Sequence, residues 1–284
     1  MFGKIHGLAS VRDDAAPTPH DGEGDGMHEP AESSPARLRT EDRPVVDIGA
    51  HWDRVHATQG PTVVPDDDEV GVAGLRHFGD LRGARLLDLG CGNGEYSLYF
   101  AARGAQVTAI DVSKVAIASL TASCAEAGID DVVAIRASAF DVAELGPFDA
   151  VFGSMILHHL EPFDAFVDVL AAAMAPGGRG FFYENNAMSK ALVWCRRHLV
   201  GRFGIPRNSD DEEFPLEPRE LGLLARRFTI EVEYPTLYLA RMASGYLLRG
   251  HGERQLGWID DLLYPIERIR RLSYRQYVKL TGAT

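Results

Sequence analysis

The stretch Leu86–Gly104, LLDLGCGNGEYSLYFAARG, decides how the chain is read. It opens on Leu86-Leu87-Asp88-Leu89, a short apolar run of the kind that forms a buried strand. Gly90, Gly92 and Gly94 then break the run at alternate positions, and a helical pattern follows from Glu95. Glycines at a strand-to-helix turn let the backbone take positive φ and approach a ligand closely. The helix after the turn aims unpaired N–H groups and a positive dipole end at the same place. A nicotinamide or flavin site uses such a turn as well, but the spacing here is Gly-x-Gly-x-Gly. Dinucleotide binders carry Gly-x-Gly-x-x-Gly.

Working outward, strands and helices alternate. ARLLDLG, QVTAID, VVAIRA, FDAVFG and GRGFFYE are short apolar strand runs, and TIEVEYPTLYL and SYRQYVKLTG are later strands. Between them lie a helix near 69–79, VAIASLTASCAEA with Ser113 as its N-cap, and FDAFVDVLAAAM, stopped by Pro176-Gly177-Gly178. VVDIGAHWDRVHA, from Val45, reads as a short helix offering Trp52 and Val55 to something apolar. This order predicts an α/β fold, a mostly parallel seven-stranded sheet with helices on both faces.

Composition narrows the partners. The 284 residues suffice for one full α/β domain with additions, expected over 45–284. Residues 1–44 are rich in Pro, Gly, Asp, Glu and Ser and nearly lack large apolar side chains, so an acidic disordered tail is expected there. A net charge of −12 argues against a nucleic-acid partner, because phosphate backbones are read by basic surfaces. Cys91, Cys124 and Cys195 show no metal-ligand spacing, no metal is expected, and the odd count suits a reducing compartment. No apolar run approaches the ~20 residues of a membrane span, and the start lacks a secretory pattern. The expected location is cytoplasmic.

The motifs together resemble the class I S-adenosylmethionine-dependent methyltransferases, especially the small-molecule branch, from about Trp52 to Phe228. The resemblance implies that Asp88, Gly90, Gly92 and Gly94 hold the amino-acid end of S-adenosyl-L-methionine. It implies that Asp111 binds both ribose hydroxyls and that Val112 lies beside the adenine. Ser138-Ala139-Phe140 falls where the family often carries an acid and a small residue near the adenine amino group; here the acid is missing and Asp141 is nearest. Gly153 and Ser154, in FDAVFGSMILHHL, are implied to lie near the cofactor. A nucleic-acid amino-methyltransferase is disfavoured, because Gly153-Ser154-Met155-Ile156 replaces the expected Asn/Asp-Pro-Pro-aromatic motif.

For the chemistry, His158 and His159 follow the fourth core strand at the edge where open α/β sheets bind ligands, and either can serve as a general base. The alternative is that they pack and cap the helix start; the resemblance favours His159 for catalysis. Glu184 ends the fifth core strand on that edge, suited to an acceptor hydroxyl or to anchoring the next loop. Two insertions, about 186–215 and 240–272, are expected to form a lid. They carry Arg196, Arg197, Arg202, Arg254, Arg268, Arg270 and Arg271 among Leu, Trp258 and Tyr264. Such segments suit an anionic or lipid-linked acceptor, with peripheral membrane contact, or simply cover the domain with arginines in solvent. The expected activity is methyl transfer to a small molecule; the alternative is a non-methylating reaction on the same fold, such as cyclisation.

Overall fold

A computed structural model describes residues 5–6, 48–58, 60, 62–189, 215–237, 239–241 and 253–283. Of the expected tail, Ile5–His6 (β1) forms a two-residue strand paired in parallel with Leu160–Glu161 (β6). Residues 8–47 lie outside the described residues, as does most of the first insertion, with Arg196, Arg197 and Arg202.

The apolar runs become the strands β2 (Arg85–Leu89), β3 (Gln106–Asp111), β4 (Val132–Arg136), β5 (Phe148–Ser154), β7 (Met174–Asn185), β8 (Phe228–Glu233) and β9 (Arg275–Ala283). They form one seven-stranded sheet in the order β4-β3-β2-β5-β7-β9-β8. β2 to β7 run parallel, whereas β9 is antiparallel to both β7 and β8. β8 therefore points the same way as β7, and the two insertions leave the same edge of the sheet. The fold is the mostly parallel Rossmann-like sheet expected from the sequence.

Helices cover both faces. Val70, Phe78, Phe100, Leu120 and Cys124 from α2 (Glu69–Phe78), α3 (Glu95–Ala101) and α4 (Lys114–Ala127) pack on Phe152 and Phe181 of the sheet. On the other face Phe166 and Leu170 of α5 (Phe163–Ala173), Val142, and Leu224 of α6 (Pro218–Leu224) pack on Val151 and Phe182. Burying each such side chain is worth about 1.5–3 kcal/mol, which fixes the parity of every strand. Ser113 caps α4 as expected, its Oγ accepting from Ala116 N at 3.1 Å. The end of α5 differs from the expected stop at Pro176: Met174 already has extended backbone and pairs with Phe148, so the turn residues belong to the start of β7.

From β2 the chain builds outward through β3 and β4, then returns to β5 on β2's other side. That reversal opens a crevice at the carboxyl ends of β2 and β5. The helix α1 (Ile48–Thr58) closes one side of it. Asp53 fastens α1 in place, accepting from Ser113 Oγ at 2.8 Å and Val115 N at 3.2 Å at the start of α4.

Candidate active site

The crevice is a pocket whose floor is the glycine turn. Asp88, Gly90, Gly92, Asp111, Val112 and Ala139 line it. Gly92 has φ 53°, and a Cβ there would sit 3.1 Å from the His56 ring, so backbone and ring already close on each other. Gly94 (φ 86°) plays a different part. A Cβ would come within 2.2 Å of Leu120, so this glycine lets α4 dock on the turn and does not line the pocket.

Two buried carboxylates face this floor. Asp111 accepts from Gly92 N at 3.0 Å and from Ser113 N at 2.8 Å, which aims it across the turn. Ser97 Oγ donates to Asp88 Oδ2 at 2.5 Å. Burial pushes the Asp88 carboxyl up to about 7, helped by the negative charge of Asp111, and burial also raises Asp111. A ligand carrying positive charge would relieve both. Burial and the same carboxylates hold the Cys91 thiol well above its ordinary range, so this pocket-lining cysteine is a neutral wall rather than a nucleophile.

Several sequence-expected residues take other positions. Ser138 caps the 3-10 helix Ala139–Glu144, its Oγ accepting from Phe140 N, while Asp141 closes the capping box on Ser138 N. Asp141 is thereby spent on the cap, Phe140 packs edge-on against Phe166, and only Ala139 of the triplet lines the pocket. Gly153 lies beneath the lining, where a Cβ would strike Ile156 and Phe182.

The three residues weighed for chemistry separate. His159 lines the pocket, buried, with its ring edge-on to Trp52 at 5.4 Å. His158 and Glu184 do not line it. Glu184 is wholly buried; its Oε1 accepts from Ile156 N at 2.9 Å and Leu157 N at 2.7 Å, and its Oε2 meets His158 Nδ1 at 2.6 Å. An ionised carboxylate only accepts, so His158 Nδ1 carries the proton. The ring of His158 in turn lies 3.9 Å from that of His159. Glu184 thus ties the turn after β5 to the end of β7.

Sequence reasoning passed over other parts of the wall. Trp52 and His56 stack at 5.7 Å across one turn of α1. Their i, i+4 spacing was the available signal, since it puts two ring-bearing residues on one face. Tyr96 also lines the pocket and donates to Asp68 Oδ2 at 3.1 Å; burial and Asp68 push its phenol up, so it stays protonated. Met155, another lining residue, holds φ 57°, a left-handed conformation costing roughly 1–2 kcal/mol outside glycine. Its N–H donates to Tyr183 O at 2.8 Å, which bends the chain sharply off β5.

Residues 86–178 match the family model for a methyltransferase domain. A ubiquinone biosynthesis O-methyltransferase of Chromobacterium violaceum is 33% identical over 153 residues, covering 51% of this chain and 64% of that protein. The protein of the same name from Paracidovorax citrulli is 30% identical, covering 54% and 65%. The chain thus spans a little under two thirds of the length of these curated relatives. Among solved structures, the N-methyltransferase NodS from Bradyrhizobium japonicum in complex with S-adenosyl-L-homocysteine has a TM-score of 0.52 at 15% identity, covering 82% of this chain and 97% of that one. The [4+2]-cyclase SpnF reaches 0.54 at 20% identity, covering 84% and 94%. At these identities the structural likeness speaks for the fold alone.

Proposed function

We propose that this chain, which carries a class I S-adenosylmethionine-dependent methyltransferase domain, methylates a hydroxyl group of a small-molecule acceptor. The observation that carries the reading is the pocket at the β2/β5 crevice, a glycine cradle with two buried carboxylates whose raised pKa values suit a cationic ligand. S-adenosylmethionine, with its sulfonium and ammonium groups, is such a ligand. Asp88 and the Gly90–Gly92 backbone would hold its amino-acid end, Asp111 its ribose, and Val112 and Ala139 its base. The bound cofactor supplies an electrophilic methyl group.

The rest falls to the protein. A hydroxyl acceptor must be oriented in line and must lose a proton. His159 lies on the wall, and an imidazole is the side chain most often used as a general base, so it is the residue to take that proton. Glu184 and His158 keep His159 in place: one fixes the backbone of the turn, and the other packs against its ring. Trp52 and His56 on α1 keep water from the cofactor side.

The hydroxyl as the methylated atom is drawn from the relatives named as O-methyltransferases. The test is release of S-adenosylhomocysteine with a panel of catechols. Product release that falls about 10²–10⁴-fold in His159→Gln, at unchanged cofactor affinity, supports the assignment. Ligand turnover without any S-adenosylhomocysteine would favour a non-methylating reaction on the same fold.

A membrane-facing role for the second insertion also has a specific observation behind it. Trp258 and Leu262 lie one turn apart on α7 (Glu253–Leu263), 59% and 64% exposed, with Ile266 49% exposed just beyond. Arg268, Arg270 and Arg271 follow at once, on and beside α8 (Glu267–Arg270). The opposite side of α7 is anchored by buried Asp260, which accepts from Ala240 N and Arg241 N at 2.8 and 3.0 Å. The apolar face is therefore turned away from the domain, as an interfacial helix requires. Among the described residues no helix is long and apolar enough to cross a membrane.

A further inference from the structure

Beside the pocket, at the carboxyl end of β7, lies a guanidinium that the cofactor cradle does not use. Arg275 opens β9 and pairs in register with Asn185, the last residue of β7. It is half-buried. Its Nη1 donates to Asn185 Oδ1 at 2.7 Å and reaches Met155 Sδ at 3.2 Å, and Met155 is part of the pocket wall. The guanidinium carbon stands 5.2 Å from the ring centroids of both Tyr183 and Tyr274.

Among the described residues no carboxylate pairs with Arg275. Arg82, Arg103, Arg227, Arg241 and Arg271 each have one, in every case an exposed carboxylate. A guanidinium has five N–H donors, and both contacts above use Nη1, so among the described residues the Nε and Nη2 donors have no hydrogen-bond acceptor. A cation drawn partly out of water without a counter-charge is costly unless an anion arrives to pair with it. The position adds the function. Arg275 stands one side chain, Met155, away from the pocket, close enough for a single molecule to span both.

We propose that Arg275 is the anion-binding residue of the acceptor site, and that the acceptor is a flat, ring-bearing molecule with a carboxylate. The planar fork matches a carboxylate with two parallel N–H bonds, and the two neighbouring tyrosine rings match a flat ring. Asn185 holds the fork in place and Tyr183 forms one wall. The inference rests on the acceptor reading above and narrows its substrate class.

The probes are 3,4-dihydroxybenzoate and its neutral isostere 3,4-dihydroxybenzamide, titrated calorimetrically into protein saturated with S-adenosylhomocysteine. The acid is expected to bind at least about tenfold tighter than the amide, the discrimination of one charge-assisted contact. Arg275→Gln should abolish the difference and Arg275→Lys should keep part of it, with cofactor affinity and melting temperature unchanged. Equal affinity for both probes, or no saturable binding of the acid, overturns the proposal. So does an Arg275→Gln variant that weakens both probes alike and melts early, because Arg275 would then be a clamp between β7 and β9. Turnover is read separately. Equally efficient methylation of acid and amide removes the anion site and leaves the methyltransferase reading intact. Acid-selective binding with no S-adenosylhomocysteine formed from S-adenosylmethionine keeps the site and removes hydroxyl methylation.

Discussion

Replacing Glu184 tests whether this buried carboxylate works on the fold or on the substrate. Glu184→Ala leaves three donors without their acceptor: Ile156 N, Leu157 N and His158 Nδ1. An unsatisfied buried donor costs about 1–3 kcal/mol, so removing the acceptor of three at once costs roughly 3 kcal/mol or more. Since a domain has only about 5–15 kcal/mol to lose, Glu184→Ala should be marginal or unfolded. Glu184→Gln is the sharper variant. Its amide oxygen can still accept from the two backbone N–H groups, and its NH₂ can donate to His158 once that ring shifts its proton to the other nitrogen. The loss should then be about 1–2 kcal/mol, near that of trading a charged hydrogen bond for a neutral one. Urea denaturation reads the stability. Calorimetry with S-adenosylhomocysteine reads the pocket, which should weaken modestly because Met155 and Ile156 line it. A Glu184→Gln protein with the wild-type urea midpoint and wild-type cofactor affinity, yet turnover reduced a hundredfold or more, would refute the reasoning. The carboxylate would then have to act on the acceptor.

The remaining expectations are briefer. Asp111→Ala should weaken the cofactor by about 1.5–3 kcal/mol, as for lost hydrogen bonds to a charged group, and unchanged affinity by calorimetry would remove Asp111 from the ribose site. The Asp88 carboxyl, raised to about 7 from an ordinary 3.8, keeps its proton in the folded state over a range where the unfolded chain has lost it. The cofactor-free protein should therefore lose stability as pH rises from about 4 to 7 and change little from this source above that. Asp88→Asn should flatten that slope, and an identical slope in both proteins by urea midpoints at pH 5 and pH 8 would show that Asp88 is ionised throughout. Protein carrying Trp258→Ser with Leu262→Ser should sediment less with phosphatidylglycerol vesicles than wild type does, and no binding by either protein would discard the membrane-facing helix.

How far the sequence reached follows from what each residue type announces. The sheet was legible because apolar runs such as Leu86–Leu89 and Ala150–Phe152 have no stable place except between two helical layers. The glycine turn was legible in part. Gly92 and Gly94 look alike in sequence, yet one meets the pocket and the other meets Leu120, a distinction set by how closely α4 approaches. Asp141 was the nearest acid to a place where the resemblance implied one, but it lies three residues after Ser138. At that spacing the local capping box satisfies two backbone donors at once and holds the carboxylate away from the pocket.

The fate of Glu184 turns on parity, and parity also explains Arg275. Along β7, Phe182 and Glu184 point to the face packed by α5, whereas Phe181, Tyr183 and Asn185 point to the face packed by α2 and α3. The sequence Phe-Phe-Tyr-Glu-Asn is apolar on both sides before its polar end, so nothing local says which of the last three side chains meets the acceptor. The partner strand decides. β9 is antiparallel and places Arg275 opposite Asn185 and Tyr277 opposite Tyr183, so the tyrosine, amide and guanidinium gather on one face beside Met155. Glu184, facing the other way, finds His158 and the turn after β5. At the end of β7, then, the acid on one face shapes the pocket from beneath, and recognition of a charged acceptor falls to the face whose cation comes from almost a hundred residues further along the chain.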